Sequence, residues 1–169
     1  MNALAFGWGF AEATFFFLVP DVALMFIALR GFAAGLRASV AALAGALLGG
    51  SLMYIWGHEA PAAAEAFLKH VPAIHAALLT TVRERLAVDG VAVMFVGPLR
   101  GIPYKIYAVE WGVLHRSFLL FLLVSIPARY IRFFLSAALA SALRRFLRPW
   151  MLVILWAAFY IFYFRTFGW

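Results

Sequence analysis

Apolar residues fill this chain in long runs separated by short polar connections, and five such runs stand out, over 3–29, 38–56, 91–114, 117–143 and 149–164. A helix that crosses a bilayer needs about 20 predominantly apolar residues, with a working range of about 17–25. Run 38–56 meets that requirement simply. Its small residues Ala41, Gly45 and Gly49 recur every four positions on one helical face, a spacing that either lets a neighbouring helix approach closely or merely reflects an alanine-rich, lipid-filling helix. Run 117–143 is long enough to span and carries Pro127, Arg129 and Arg132 near its middle. Run 149–164 is short, with Pro149 and Trp150 placed as helix start and interfacial anchor. Its far end, Tyr163 to Trp169, reads as an aromatic belt closed by Arg165.

The remaining two runs predict something other than simple spans. Residues 3–29 hold Glu12, Pro20 and Asp21 in otherwise apolar sequence, and residues 91–114 hold Gly97, Pro98, Arg100, Gly101, Pro103, Lys105 and Glu110. Prolines and glycines packed this closely interrupt a helix. Interrupted backbone at membrane depth is tolerated only where protein buries it or it lines a wet cavity. Both runs therefore predict re-entrant hairpins, with Pro20 marking the first break and Gly97, Pro98, Gly101 and Pro103 the second. Between spans and hairpins, segment 57–90 is the most polar. Ile74, Leu78, Val82 and Leu86 recur every four residues there, which predicts an amphipathic helix lying in the interface or, alternatively, an extramembrane hairpin.

Composition sharpens the class. Of 169 residues, 67% are hydrophobic and only 12% charged, against about 45–50% and about 25% in an ordinary soluble chain. A soluble fold of this size lacks the interior to hide so much apolar surface. The net charge of +7 is scattered singly through apolar runs, without the basic patch that nucleic-acid binding requires. There are no cysteines, which excludes disulfides, zinc-thiolate centres and thiol catalysis. No Lys or Arg precedes Arg30, so the expected reading of the apolar start is a retained segment rather than a cleaved signal.

Lys/Arg density predicts orientation. The connections holding Arg30 with Arg37, and Arg144 with Arg145 and Arg148, are purely basic and belong in the cytoplasm. The two hairpin-plus-span units then have opposite topology, the pattern of transporters built from inverted repeats. The expected fold is an all-α integral membrane domain over 1–169: two re-entrant hairpins in inverted repeat, about three full spans and an interfacial amphipathic helix.

Candidate chemistry comes from charges that apolar sequence should not contain. Each costs about 2.5–3.5 kcal/mol at a helix centre on insertion scales, so pairing is expected. Glu12 and Asp21 from the first hairpin would face Arg100 and Lys105 from the second, with Arg129 from the span that follows; Arg132 is the weaker candidate because it can snorkel to the membrane edge. The bases are suited to an anionic head group and the desolvated acids to carrying protons. The alternative is that these charges neutralise one another and only fix the fold. His70 and His75 fall on different helix faces and His58-Glu59 has no second His four residues on, so no metal site is expected. No nucleophile triad or phosphate loop appears, so neither enzymatic activity nor a cofactor is expected.

These residues resemble the motifs of the DedA family (VTT domain, or SNARE-associated Golgi protein type), and within it the short YqaA-like branch. Gly9-Phe10-Ala11-Glu12-Ala13-Thr14-Phe15-Phe16-Phe17-Leu18-Val19-Pro20-Asp21 is similar to the family's first re-entrant motif, and Gly49 to Gly57 to its G…Y…G helix motif. Gly97-Pro98-Leu99-Arg100-Gly101-Ile102-Pro103-Tyr104-Lys105, running on to Glu110-Trp111-Gly112, resembles the second re-entrant motif, and Ile126-Pro127-Ala128-Arg129-Tyr130 the Pro/Arg motif that follows. The resemblance spans most of 9–132. It implies lipid translocation by a flippase or scramblase, on undecaprenyl phosphate or a phospholipid, with protons as coupling ion and with Glu12, Asp21 and Arg100 as functional residues. Two departures stand beside it: Lys105 lies two residues after Pro103 where the family has Arg three after its Pro, and the acids are more closely spaced. The expected setting is a bacterial inner (cytoplasmic) membrane, with the homo-oligomeric state open. A proton-coupled cation antiporter and a non-transporting scaffold are the alternatives.

Overall fold

The computed structural model describes residues 1–167; Gly168 and Trp169, the end of the expected aromatic belt, lie outside the described residues. Among the described residues every regular element is helical. Three helices, Phe32–Glu59, Phe118–Ala142 and Pro149–Thr166, are long and apolar enough to cross a membrane. The chain is an all-helical protein with the length and composition of a membrane protein.

The first apolar run forms two short helices, α1 (Asn2–Thr14) and α2 (Asp21–Ala28), separated by a break over 15–20. The break begins where Phe15 and Phe16 both return their amides to the Ala11 carbonyl, at 2.9 and 2.7 Å. The Trp8 indole caps the break's Leu18 carbonyl at 3.1 Å. Pro20, which has no amide to leave unpaired, directly precedes α2. Asp21 then opens α2, where the helix amino terminus favours a carboxylate. After α2 the chain turns at Gly31, whose φ of +137° is open to glycine and strained for other residues.

Helix α3 (Phe32–Glu59) is the trunk, packed against α1, α2 and two later helices, α7 (Tyr104–Val113) and α8 (Phe118–Ala142). Its small residues set the distance. A Cβ at Gly45 would lie 2.0 Å from the Phe6 carbonyl oxygen of α1, and a Cβ at Gly9 would lie 2.2 Å from the Ala42 oxygen. The stripe seen in sequence is thus a backbone-to-backbone contact. The far end of α3 repeats the device: a Cβ at Gly57 would sit 2.3 Å from the Val109 oxygen, and one at Gly112 2.2 Å from the Tyr54 oxygen.

Segment 57–90 departs from the interfacial-helix expectation. It forms α4 (Pro61–Leu68) and α5 (Ala76–Asp89), with the His75 ring capping the Leu78 amide of α5 at 3.2 Å. Ile74, Leu79, Val82 and Leu86 are buried, Leu78 only partly, and α5 packs on α7. The apolar edge is therefore consumed by the protein rather than offered to lipid. Arg83 locks the arrangement, donating to Glu110 of α7 at 2.6 Å and pairing with Glu65 of α4. The hydrogen bond to Glu110 pushes the Arg83 pKa above its usual value, with burial opposing it.

The third apolar run is again interrupted. After a tight turn over 90–92 come α6 (Val93–Val96), a second turn over 97–100, and α7 (Tyr104–Val113). Gly101 adopts φ +77° and Pro103 is extended, which breaks the helical path between turn and helix. Helix α7 is enclosed on nearly every side, from Tyr104 to Gly112. Ser117 caps α8 (Phe118–Ala142), which continues through Pro127 without ending. Helix α9 (Pro149–Phe167) is peripheral: only 6% of its apolar window is buried inside the protein.

Candidate functional site

The two helix breaks converge on one face of α8. Arg129 and Arg132, three residues apart, lie on that face just after Pro127. Glu12, in the last turns of α1, forms an ion pair with Arg129, and both side chains are almost completely buried. Asp21, at the start of α2, accepts from Arg132 at 2.5 Å and from the Ser136 hydroxyl. The Arg129 guanidinium lies 4.5 Å from the centroid of the Tyr104 ring and 4.8 Å from that of Phe133. Tyr104 is itself fixed by donating to Ser125 at 2.8 Å.

Lys105, in the first turn of α7, brings the second break to the first. Its ammonium donates to the Phe16 carbonyl within the first break at 2.8 Å and has no carboxylate partner among the described residues. Lys105 is nonetheless 1% exposed. Three formal positive charges (Arg129, Arg132, Lys105) stand against two negative ones (Glu12, Asp21), leaving the cluster one positive charge in excess.

A cavity of about 300 Å³ opens beside this cluster. Glu12, Lys105 and Arg132 supply its polar floor, and Phe17, Gly101 and Pro103 come from the breaks. Helix α9 supplies an aromatic wall of Trp156, Phe159, Tyr160 and Tyr163. This wall is tied to both breaks: the Val19 amide donates to the Tyr160 hydroxyl at 2.8 Å, and the Tyr163 hydroxyl donates to the Gly101 carbonyl at 3.2 Å. The Trp156 indole N–H is buried without a protein acceptor. Tyr160→Phe leaves the Val19 amide unpaired, so a loss of about 1 kcal/mol is expected in the unfolding free energy, measured by denaturant titration in mixed micelles. An unchanged midpoint would show the tie to be dispensable.

The site differs from the sequence expectation in three places. Glu12, Asp21, Lys105 and Arg129 do meet, but Arg132 joins them through Asp21 rather than snorkelling to the edge. Arg100, expected among the phosphate-binding bases, is exposed and borders other recesses. Its neighbours Pro98, Gly101, Ile102 and Pro103 line the cavity, and Gly101, which follows it directly, is in the left-handed region. Glu110 is held by Arg83, away from the cluster. Of the break residues, Pro98, Gly101 and Pro103 line the cavity, Pro20 precedes α2, and Gly97 is buried against Tyr107. The aromatic wall was missed, although Trp156, Phe159, Tyr160 and Tyr163 at spacings of three, one and three mark a single helix face. Comparison with protein-family models, curated proteins and solved structures finds no match to this chain, so what the site does has to be read from its own geometry.

Proposed function

We propose that this protein is a membrane lipid transporter, a flippase or scramblase that moves a phosphate-bearing lipid between leaflets. One observation carries the proposal: a buried charge cluster, one positive charge in excess, faces a cavity whose opposite wall is aromatic. Such a site suits an amphiphile with an anionic head and an apolar tail. Lys105 is the base left without a carboxylate, and with Arg132 on the floor it is the natural anchor for a phosphate. Arg129, behind Glu12, positions that carboxylate.

The re-entrant, inverted-repeat reading belongs to the same proposal and is supported by length. Helix α1 has 13 residues and α7 has 10, about 20 Å and about 15 Å at 1.5 Å per residue. Both fall short of a hydrocarbon core of about 30 Å. Each meets its break at the charged cluster, as interrupted helices do in transporters with midplane sites. In this scheme Glu12 and Asp21 are the proton carriers, since protonating either would release its arginine and bias one access state over the other. The resemblance of 9–132 to the DedA motifs supports the same assignment, with undecaprenyl phosphate or a phospholipid as cargo and a bacterial inner membrane as setting.

The fully paired state of both acids favours a second reading, in which the charges are only structural. Lys105→Met separates the two, because Lys105 takes part in no ion pair. In proteoliposomes carrying a fluorescent phospholipid or a polyprenyl phosphate, Lys105→Met is expected to keep its fold and lose leaflet exchange by about tenfold or more. No exchange by the native protein above that of protein-free vesicles would overturn the transporter proposal. Native-rate exchange in Lys105→Met would remove Lys105 as its anchor, and flux of a small cation tracking the proton gradient would replace the proposal with an antiporter.

A further inference from the structure

A second recess lies outside the α4–α5–α7 lock, between α5 and the turn that precedes α7. It encloses about 380 Å³ and shares no lining residue with the central cavity. Arg85 of α5 and Arg100 of the turn border it, and neither makes a side-chain hydrogen bond or ion pair among the described residues. Between them, at the inner wall, stands Tyr107, 1% exposed, with its hydroxyl buried and without a partner. Both guanidinium charges act on that hydroxyl.

The wall is shaped to hold the hydroxyl there. A Cβ at Gly97 would fall 1.7 Å from the Tyr107 oxygen, so only glycine leaves the phenol room at this point. A buried hydroxyl without a partner is costly and uncommon. A tyrosine that only filled space would do so better as phenylalanine, which has no polar atom to desolvate. Two unpaired guanidinium groups beside an O–H donor present a set of donors directed at one acceptor-rich, planar or tetrahedral anion. Asp89, one turn beyond Arg85 on α5, also borders the recess and is exposed. Its carboxylate opposes an anion there and limits affinity.

The geometry points to a peripheral phosphate-binding site formed by Arg85, Arg100 and Tyr107, separate from the transport cavity. A phosphomonoester lipid head group at the membrane surface and a free phosphate present the same chemistry to it. This inference does not depend on lipid transport: a protein that exchanges no lipid would still carry this site.

The test uses the full-length protein in phosphatidylcholine nanodiscs, titrated calorimetrically with inorganic phosphate and, separately, with water-soluble dihexanoyl phosphatidic acid. At least one probe is expected to bind. Tyr107→Phe should weaken that binding by about tenfold while leaving the melting temperature equal or higher, a combination that a packing role for the hydroxyl cannot produce. Arg85→Gln should weaken it by at least as much, and Asp89→Asn should tighten it. Any binding that Lys105→Met removes belongs to the central cavity, and the binding that Tyr107→Phe and Arg85→Gln weaken should survive that replacement. Binding of phosphatidic acid alone assigns the site to a lipid head group, and binding of inorganic phosphate alone assigns it to the free anion. No binding of either, equal affinities in Tyr107→Phe and the native protein, or loss of all binding in Lys105→Met would overturn the proposal.

Discussion

Glu12→Gln is expected to destabilise the folded protein by about 3–5 kcal/mol, the cost of leaving one member of a buried ion pair uncompensated. The Arg129 guanidinium already has its Nε and one terminal nitrogen without a hydrogen-bond partner. Glutamine can still accept from it, but the guanidinium charge is then offset only by the faces of the Tyr104 and Phe133 rings. Lys105 makes the loss worse, because its charge is also felt by Glu12 and has no carboxylate of its own. The cluster would then hold three positive charges against Asp21 alone. Arg129→Met should cost less, since Lys105 remains to balance Glu12. The double replacement Glu12→Gln/Arg129→Met should recover much of the stability, because it removes the whole pair rather than half of it. Unfolding free energies of the two single variants and the double variant, measured in mixed micelles, give the coupling directly. Glu12→Gln proving no less stable than Arg129→Met would show that Lys105 does not belong to the electrostatic cluster.

Gly45→Val acts on the trunk instead of the site, with a loss of about 3 kcal/mol or more expected. The added Cβ would meet the Phe6 oxygen at 2.0 Å and the Phe10 nitrogen at 2.9 Å. These are main-chain atoms inside a helix, so relief requires moving all of α1, and with it Glu12. The same variant should therefore disrupt the cavity floor as well as the fold. Gly7→Ala is the matched control on α1. A Cβ there meets nothing within 4 Å, and alanine in a helix interior is favoured over glycine by about 0.5–1 kcal/mol. Opposite signs from two glycine replacements at the same helix pair are the expected result; similar losses from both would mean that α1 tolerates no change for reasons unrelated to close approach.

Spans and breaks were legible in the sequence because both are local properties. Hydropathy sets where 118–142 and 149–166 are helical, and the Pro/Gly cluster sets where the chain opens between 97 and 103. The small-residue stripe on α3 was legible as an invitation to pack, though not which helix accepts it. Partner choice was the least legible part. Arg100 and Lys105 are five residues apart, yet Arg100 borders a peripheral recess and Lys105, in the first turn of α7, borders the central cavity, with a positive-φ glycine between them. Glu110 looks like a member of the intramembrane charge set until α5 is seen packed on α7, which brings Arg83 to it from 27 residues away. The α5 stripe carries no mark that distinguishes a lipid-facing edge from one covered by protein. The aromatic face of α9 was visible but ambiguous, since interface anchors and a cavity wall draw on the same residues.

The attachment of α9 has a mechanical consequence. The trunk is joined by main chains in direct contact, so its helices cannot separate by small steps. Helix α9 is joined by a few side chains: among its described residues only Leu152, near its beginning, is buried, and farther along Tyr160 and Tyr163 reach the two breaks. Resistance to deformation is therefore unequal around the cavity, and the weakest seam is the one between α9 and the two breaks. Opening the cavity by moving α9 would break the Tyr160 and Tyr163 hydrogen bonds, whereas opening it through the trunk would separate main chains.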